Sequence, residues 1–150
     1  MWSGGVRVII PDENGSILLV NQKHEGRDIW MAPGGGIEDG ETSRDAAIRE
    51  VLEETGLIIH AGRLLWHVEE VSPERGQRFV NFFLGEIIGG KTELGADPER
   101  EGSQVLTGLK FFTREEMASI EYLYPDFIRD EIWDELTIEN GWDSYRIRGR

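Results

Sequence analysis

Apolar and polar positions along the chain change period several times, and each change predicts an element. Val6 to Ile10 and Ile17 to Gln22 are apolar, β-branched runs separated by Pro-Asp-Glu-Asn-Gly-Ser. The Asn14-Gly15 pair favours a tight turn, so the two runs are expected to form a hairpin. Ala32-Pro33-Gly34-Gly35-Gly36 is expected to be irregular, because proline lacks a donor and glycine favours unusual dihedrals. From Thr42 or Ser43, either of which can cap, a helix is predicted to run to Thr55, with Gly56 as its stop. Arg63 to Val71 and Arg78 to Ile88 read as two strands around Ser72-Pro73-Glu74-Arg75-Gly76, and Gly89 to Ser103 as a polar loop. Leu109 to Phe112 reads as a short strand, and Thr113-Arg114-Glu115-Glu116 has the form of a capping box opening a short helix. A last helix is predicted from Pro125 to about Glu139, with Phe127, Ile128, Ile132, Trp133 and Leu136 as its apolar stripe. Strands, one helix, more strands and closing helices give an α+β fold, a mixed sheet covered by helices. No repeat or linker divides the chain, so residues 1–150 are expected to form a single domain.

The middle helix carries the chemistry. At 3.6 residues per turn Glu50, Glu53 and Glu54 fall at i, i+3 and i+4, on one face. Ala46 and Ala47 flank that face, and Ile48, Val51, Leu52 and Thr55 fall opposite it, where they are expected to pack into the core. Like charges at such spacings repel by a few tenths of a kcal/mol per pair in an isolated helix. A hard divalent cation removes that repulsion: Mg²⁺ takes oxygen ligands in an octahedron, and Mn²⁺ is a substitute. His24, His60 and His67 lie scattered without ligand spacing, which argues against zinc. Arg49 stands four residues before Glu53 and can fix the direction of that carboxylate. Glu41 precedes the helix and favours its positive end. The glycines at 34–36 can bring backbone groups close to a metal and phosphates; no Gly-Lys-Ser/Thr follows, so this is not a P-loop.

Composition narrows the partners. The formal net charge is −13, with 16 Lys and Arg against 29 Asp and Glu. A polymeric nucleic acid, bound chiefly through phosphate neutralisation, is disfavoured. A small phosphorylated ligand carrying a divalent cation is not, because the cation reverses the local field. No apolar run is long enough for a membrane span, no leader pattern stands at the start, and there is no cysteine. Those readings lead to an expectation of a cytoplasmic protein that neither enters nor binds a membrane.

From Gly35 to Leu57 the chain reads Gly, five residues, Glu41, seven residues, then Arg49-Glu50-Val51-x-Glu53-Glu54-x-Gly56-Leu57. This resembles the signature of the Nudix hydrolases at every position, with Trp30-x-x-Pro33-Gly34-Gly35 as a matching lead-in. The resemblance implies an α/β/α sandwich with a mixed β-sheet and metal-dependent hydrolysis of a nucleoside diphosphate linked to a group X. It implies a metal held by Glu50, Glu53 and Glu54, with the Gly34 carbonyl joining the shell, and a mainly structural Glu41. The general base in such proteins is a box glutamate, here Glu53, or one from a later loop, here Glu99 or, preferred, Glu101. Arg49 is assigned to the catalytic group as the residue orienting Glu53.

For the substrate, Gly35 and Gly36 are candidates at the diphosphate, and Arg7, Arg27, Arg75 and Arg78 at phosphate or base. Trp30, Phe82 or Phe83 could stack on a base. Some ADP-ribose-cleaving members carry a proline beyond the box, and Pro73 falls near that place. An ADP-ribose-like compound and a (d)NTP are both open, with dinucleoside polyphosphates and nucleotide sugars behind them. A reading from another class is a Nudix-like module that senses a nucleotide without hydrolysing it. Trp133, Trp142 and Tyr145 are candidates for a homodimer interface, or for packing within one chain.

Overall fold

The computed structural model describes residues 4–74, 76–95, 106–138 and 141–149. Its elements run in the order β1 (Gly4–Ile9), β2 (Ile17–His24), β3 (Arg27–Met31), β4 (Gly34–Gly36), α1 (Ser43–Thr55), β5 (Leu57–Ser72), β6 (Gly76–Gly90), β7 (Leu106–Phe112), α2 (Arg114–Ala118), β8 (Leu123–Tyr124) and α3 (Ile128–Leu136). The strands form two mixed four-stranded sheets, in the orders β4-β1-β6-β5 and β7-β2-β3-β8. The α+β class is as expected; the expected single mixed sheet is divided in two.

That division corrects the first predicted hairpin. Asn14-Gly15 does turn the chain, with Gly15 at a φ of 81°, and Leu18 N–H donates to Ile10 O at 3.0 Å. The pairing stops there. β1 pairs with β4 and β6, whereas β2 pairs with β3 and β7. Every residue from Val8 to Ile10 and from Ile17 to Val20 is buried. Runs apolar on both faces suit strands covered on both sides, and they do not specify which neighbour each strand takes.

Sheet one places the site. β6 lies parallel to β1, with Val6 opposite Asn81 and Arg7 opposite Phe82. β5 lies antiparallel to β6, with Glu70 opposite Arg78. On its other side β1 takes Gly34–Gly36 as an antiparallel partner, Val6 facing Gly35. The triple glycine, expected to be irregular, is thus a short strand: without side chains its backbone lies against β1 and α1 together. β5 and β6 are longer than predicted, and Pro73 sits in the turn between them.

Helix boundaries follow the capping chemistry. Thr42 caps α1 in a reciprocal capping box with Asp45, and Gly56 closes it in the left-handed region at φ 78°. Thr113 and Glu116 form the predicted box at α2. α3 is shorter than predicted and has no side-chain cap; Phe127, not Pro125, occupies its cap position. Its stripe packs as expected: Ile128 and Ile132 are buried in one core cluster, against which Phe127, Trp133 and Leu136 lean. Trp133 and Tyr145 are used within the chain, Trp133 donating to Arg129 O and Tyr145 resting edge-on against Phe83. Trp142 is 80% exposed.

α1 is rotated from its expected setting. Its buried residues are Ser43, Ala46, Ala47, Glu50, Val51, Glu54 and Thr55. Ile48 and Leu52, expected in the core, are 38% and 49% exposed. Among the described residues no helix is long and apolar enough to cross a membrane. The rotation makes a prediction about stability. Val51→Ala removes fully buried methyls and is expected to cost about 2 kcal/mol in urea unfolding. Leu52→Ala is expected to change stability by less than about 0.5 kcal/mol.

Candidate active site

Two carboxylates at the heart of α1 are withdrawn from water. Glu50 and Glu54 have no exposed surface, while the Glu53 side chain, between them in sequence, is 32% exposed. Burying an acid requires compensating hydrogen bonds or charge. Glu54 Oε1 accepts the Gly34 N–H at 2.8 Å, which ties the helix to the start of β4. Glu50 lies under Gly35: a Cβ built there would stand 2.5 Å from the Glu50 Cδ and Oε1. Only glycine lets the strand and the carboxylate share that space.

The compensating charge is Arg49. Its Nε and Nη2 donate to the two oxygens of Glu41 at 2.8 and 2.9 Å, a forked pair. Its Nη1 donates to Glu50 Oε1 at 3.0 Å and Glu53 Oε2 at 3.3 Å, and its Nη2 reaches Gly36 O at 3.0 Å. Glu38 stands 3.7 Å away. The hydrogen bond from Arg49 holds the Glu41 carboxyl below its usual range, against the opposing effect of burial. In return Glu41, and after it Glu50, drives the arginine pKa up. The expected Arg49–Glu53 contact exists, but it is the longest of the arginine's carboxylate hydrogen bonds. Glu41 is its chief partner, which gives Glu41's supporting role a definite form.

All the acids on this helix offer hard oxygen donors, as Mg²⁺ or Mn²⁺ requires, and none of the three histidines joins them. His24 lies at the adjoining cleft, His60 is exposed, and His67 contacts Asn81. Among the described residues no three acid or histidine side chains converge as a ready ligand set. The observed cation between Glu50 and Glu53 is the guanidinium of Arg49.

The opposite face of sheet one forms the floor of a cleft of about 400 Å³ that Gly35 also borders. Arg7, Arg78, Glu70 and Val80 line it from this sheet, Gln22, Ile29 and Met31 from β2 and β3, and Tyr124 from β8. Arg7 Nη1 donates to Ala32 O at 2.6 Å and its guanidinium lies 5.4 Å from the Tyr124 ring centroid. Arg78 passes over Gly5, where any Cβ would collide with its Nη2. Burial pushes the Tyr124 phenol up to about 12, helped by its hydrogen bond to Glu70.

The NUDIX domain family matches residues 1–130. This chain belongs to the NUDIX family. Against the ADP-ribose pyrophosphatase of Methanocaldococcus jannaschii this NUDIX chain is 29% identical over 125 residues, covering 81% of itself and 68% of that protein. Against the mouse (Mus musculus) 8-oxo-dGDP phosphatase NUDT18 it is 36% identical over 101 residues, covering 66% of itself and 30% of that protein. Most of the curated relatives it matches are spanned for between a quarter and three fifths of their length. A crystal structure of an ADP-ribose pyrophosphatase from Streptococcus suis 89-1591 has the same fold, with a TM-score of 0.70 at 22% identity, 95% of this chain and 97% of that one being covered.

Within this NUDIX fold the residues singled out from the sequence divide into three groups. Gly34, Gly35, Gly36, Arg49, Glu50, Glu53 and Glu54 come together at α1 and β4, and Arg7 and Arg78 line the neighbouring cleft. Phe82 and Phe83 are fully buried in the core, so neither is free to stack on a ligand; Trp30 packs edge-on against Phe112 and Arg27 lies over Tyr122. Arg75, Glu99 and Glu101 lie outside the described residues. Glu70 and Tyr124 were missed. Alternation along β5 puts Glu70 on the same face as Arg78, but that signal depends on knowing the register.

Loss of Arg49 is expected to be costly. Arg49→Met removes the guanidinium from beside the buried Glu50 and should lower stability by roughly 3 kcal/mol near pH 7. Because the folded Glu41 pKa is depressed, the pair stabilises the fold above the ordinary value of about 4.5, and that contribution is lost as pH falls through the lowered value. Urea melts should therefore show the gap between wild type and variant narrowing below pH 4.5. A gap that widens in acid would contradict this.

Proposed function

We propose that this NUDIX protein is a metal-dependent hydrolase that cleaves the phosphoanhydride of a nucleoside diphosphate linked to a further group, an ADP-ribose-like compound or a (d)NTP. The observation that carries the reading is the junction of α1 with Gly34–Gly36, where Arg49 holds the buried Glu50 and the accessible Glu53 and the Gly34 N–H holds the buried Glu54, beside a cleft lined by two arginines.

The donor set fits a hard divalent cation: Glu50, Glu53 and Glu54 would hold Mg²⁺, or Mn²⁺, with the Gly34 carbonyl beside them. Such an ion, when bound, neutralises the diphosphate and lowers the pKa of a bound water. The protein's own groups divide the remaining work. Glu50 and Glu54, closed to solvent, keep their positions through Arg49 and the Gly34 N–H. Glu53, of the three α1 glutamates the one open to solvent, takes the proton from the attacking water as its oxygen bonds to phosphorus and the anhydride P–O bond breaks. Arg49 orients Glu53 and is anchored by Glu41. The Gly35 and Gly36 backbone borders the diphosphate, and Arg78 and Arg7 offer N–H donors to the phosphates further along the cleft. Glu101 is the alternative base, from outside the described residues. Names of relatives support both substrate types, ADP-ribose for one and 8-oxo-dGDP for another.

A panel of ADP-ribose, dNTPs, nucleotide sugars and dinucleoside polyphosphates with Mg²⁺ tests the proposal by release of nucleoside monophosphate or phosphate. At least one compound should turn over, EDTA should abolish turnover, and Glu53→Gln should lower kcat by roughly 100-fold or more with an unchanged melting temperature. Turnover unaffected by EDTA would remove the metal, and tight binding of a panel member with no turnover of any would favour a sensor.

A further inference from the structure

We propose that Glu70 determines base specificity, selecting a nucleobase edge with adjacent N–H donors, as in guanine, over one with an acceptor there, as in adenine. This rests on the hydrolase reading, since it takes the diphosphate to lie at the β4 end of the cleft. Sheet order fixes the direction from there: β4, β1, β6, β5 carry Gly35, Arg7, Arg78 and Glu70 in turn. Three interstrand spacings of about 4.8 Å place β5 roughly 14 Å from β4, room for a nucleoside between the diphosphate and the Glu70 carboxylate. The walls between are suited to a flat apolar ring: Ile29, Met31 and Val80, with the Tyr124 ring at the side.

Among the described residues Glu70 is held in place without being used up. The Tyr124 hydroxyl donates to it, and Tyr124 is in turn covered by Arg7, whose Nη1 is bonded to Ala32 O just before the glycine strand. A carboxylate has about four acceptor directions, so one phenol leaves it able to accept two further N–H groups. Guanine presents N1–H and the N2 amino group side by side, which a carboxylate accepts as a fork. Adenine presents the N1 lone pair there, which a carboxylate oxygen repels. A good two-point base contact discriminates by roughly five- to a hundredfold.

Binding of dGMP, dIMP and dAMP to the full chain, measured by calorimetry, reads the base alone, without a diphosphate or metal. The wild type should bind dGMP at least about tenfold more tightly than dAMP, with dIMP, which lacks the N2 amino group, between them. Glu70→Gln, checked for an unchanged melting temperature, should lose most of the preference; if it fails to fold, Glu70→Asp, which draws the carboxylate back by one carbon, should weaken it. Equal binding of dGMP and dAMP by the wild type, or a preference that survives in the variant, overturns the assignment. Hydrolysis of dGTP and dATP in parallel separates the two claims. Turnover with no base preference removes the role of Glu70 alone, whereas base preference without turnover of any panel compound removes the hydrolase reading alone.

Discussion

One guanidinium sets the arrangement of everything around the α1–β4 junction. Arg49 meets Glu41, Glu50 and Glu53 by hydrogen bonds and lies close to Glu38. A carboxylate such as Glu50, with no exposed surface, is tolerable only where charge and hydrogen bonds replace water. Arg49 provides both, and Glu41, outside the helix, keeps the arginine from turning to solvent. The same requirement fixes how the helix sits. Glu50 and Glu54 must face β4, so Ala46, Ala47 and Val51 meet the sheet, and Ile48 and Leu52 are turned outward.

The glycine strand joins this helix to the cleft. Gly34 donates to Glu54 and Gly35 lies on Glu50, while both pair with β1, the strand that carries Arg7 into the cleft. Arg7 then binds Ala32 O and covers Tyr124, which holds Glu70. A chain of hydrogen bonds and close contacts therefore runs from the buried acids to the far wall of the cleft. In the proposed hydrolysis the diphosphate end and the base end of a substrate would be held by one connected piece of the sheet.

Much of the site could be read from the sequence because it rests on local rules. Capping fixed both ends of α1 through Thr42 and Gly56, and the three glutamates fall at helical spacing whatever the tertiary structure. What was not legible depends on long-range choices. Which side of α1 faces inward was read from hydrophobicity, and the Arg49 charge network overrode it. Phe82 and Phe83 offered themselves as stacking groups, yet period-2 alternation in a strand covered on both faces buries both. The split into two sheets, and Gly34–Gly36 as a strand, follow from pairing partners that apolar runs do not specify. Glu70 became visible only through its register against Arg78.

In the proposed hydrolase the α1 carboxylates and the glycine strand together would form the seat of a divalent ion. Paramagnetic broadening by Mn²⁺ tests it most directly, with amide resonances of the isotopically labelled chain followed as Mn²⁺ is added below stoichiometry. Selective loss of the Gly34, Gly35, Gly36 and Glu53 signals is expected, while Ile132 in α3 is retained. Uniform broadening, or selective loss elsewhere with the glycine signals intact, would contradict it.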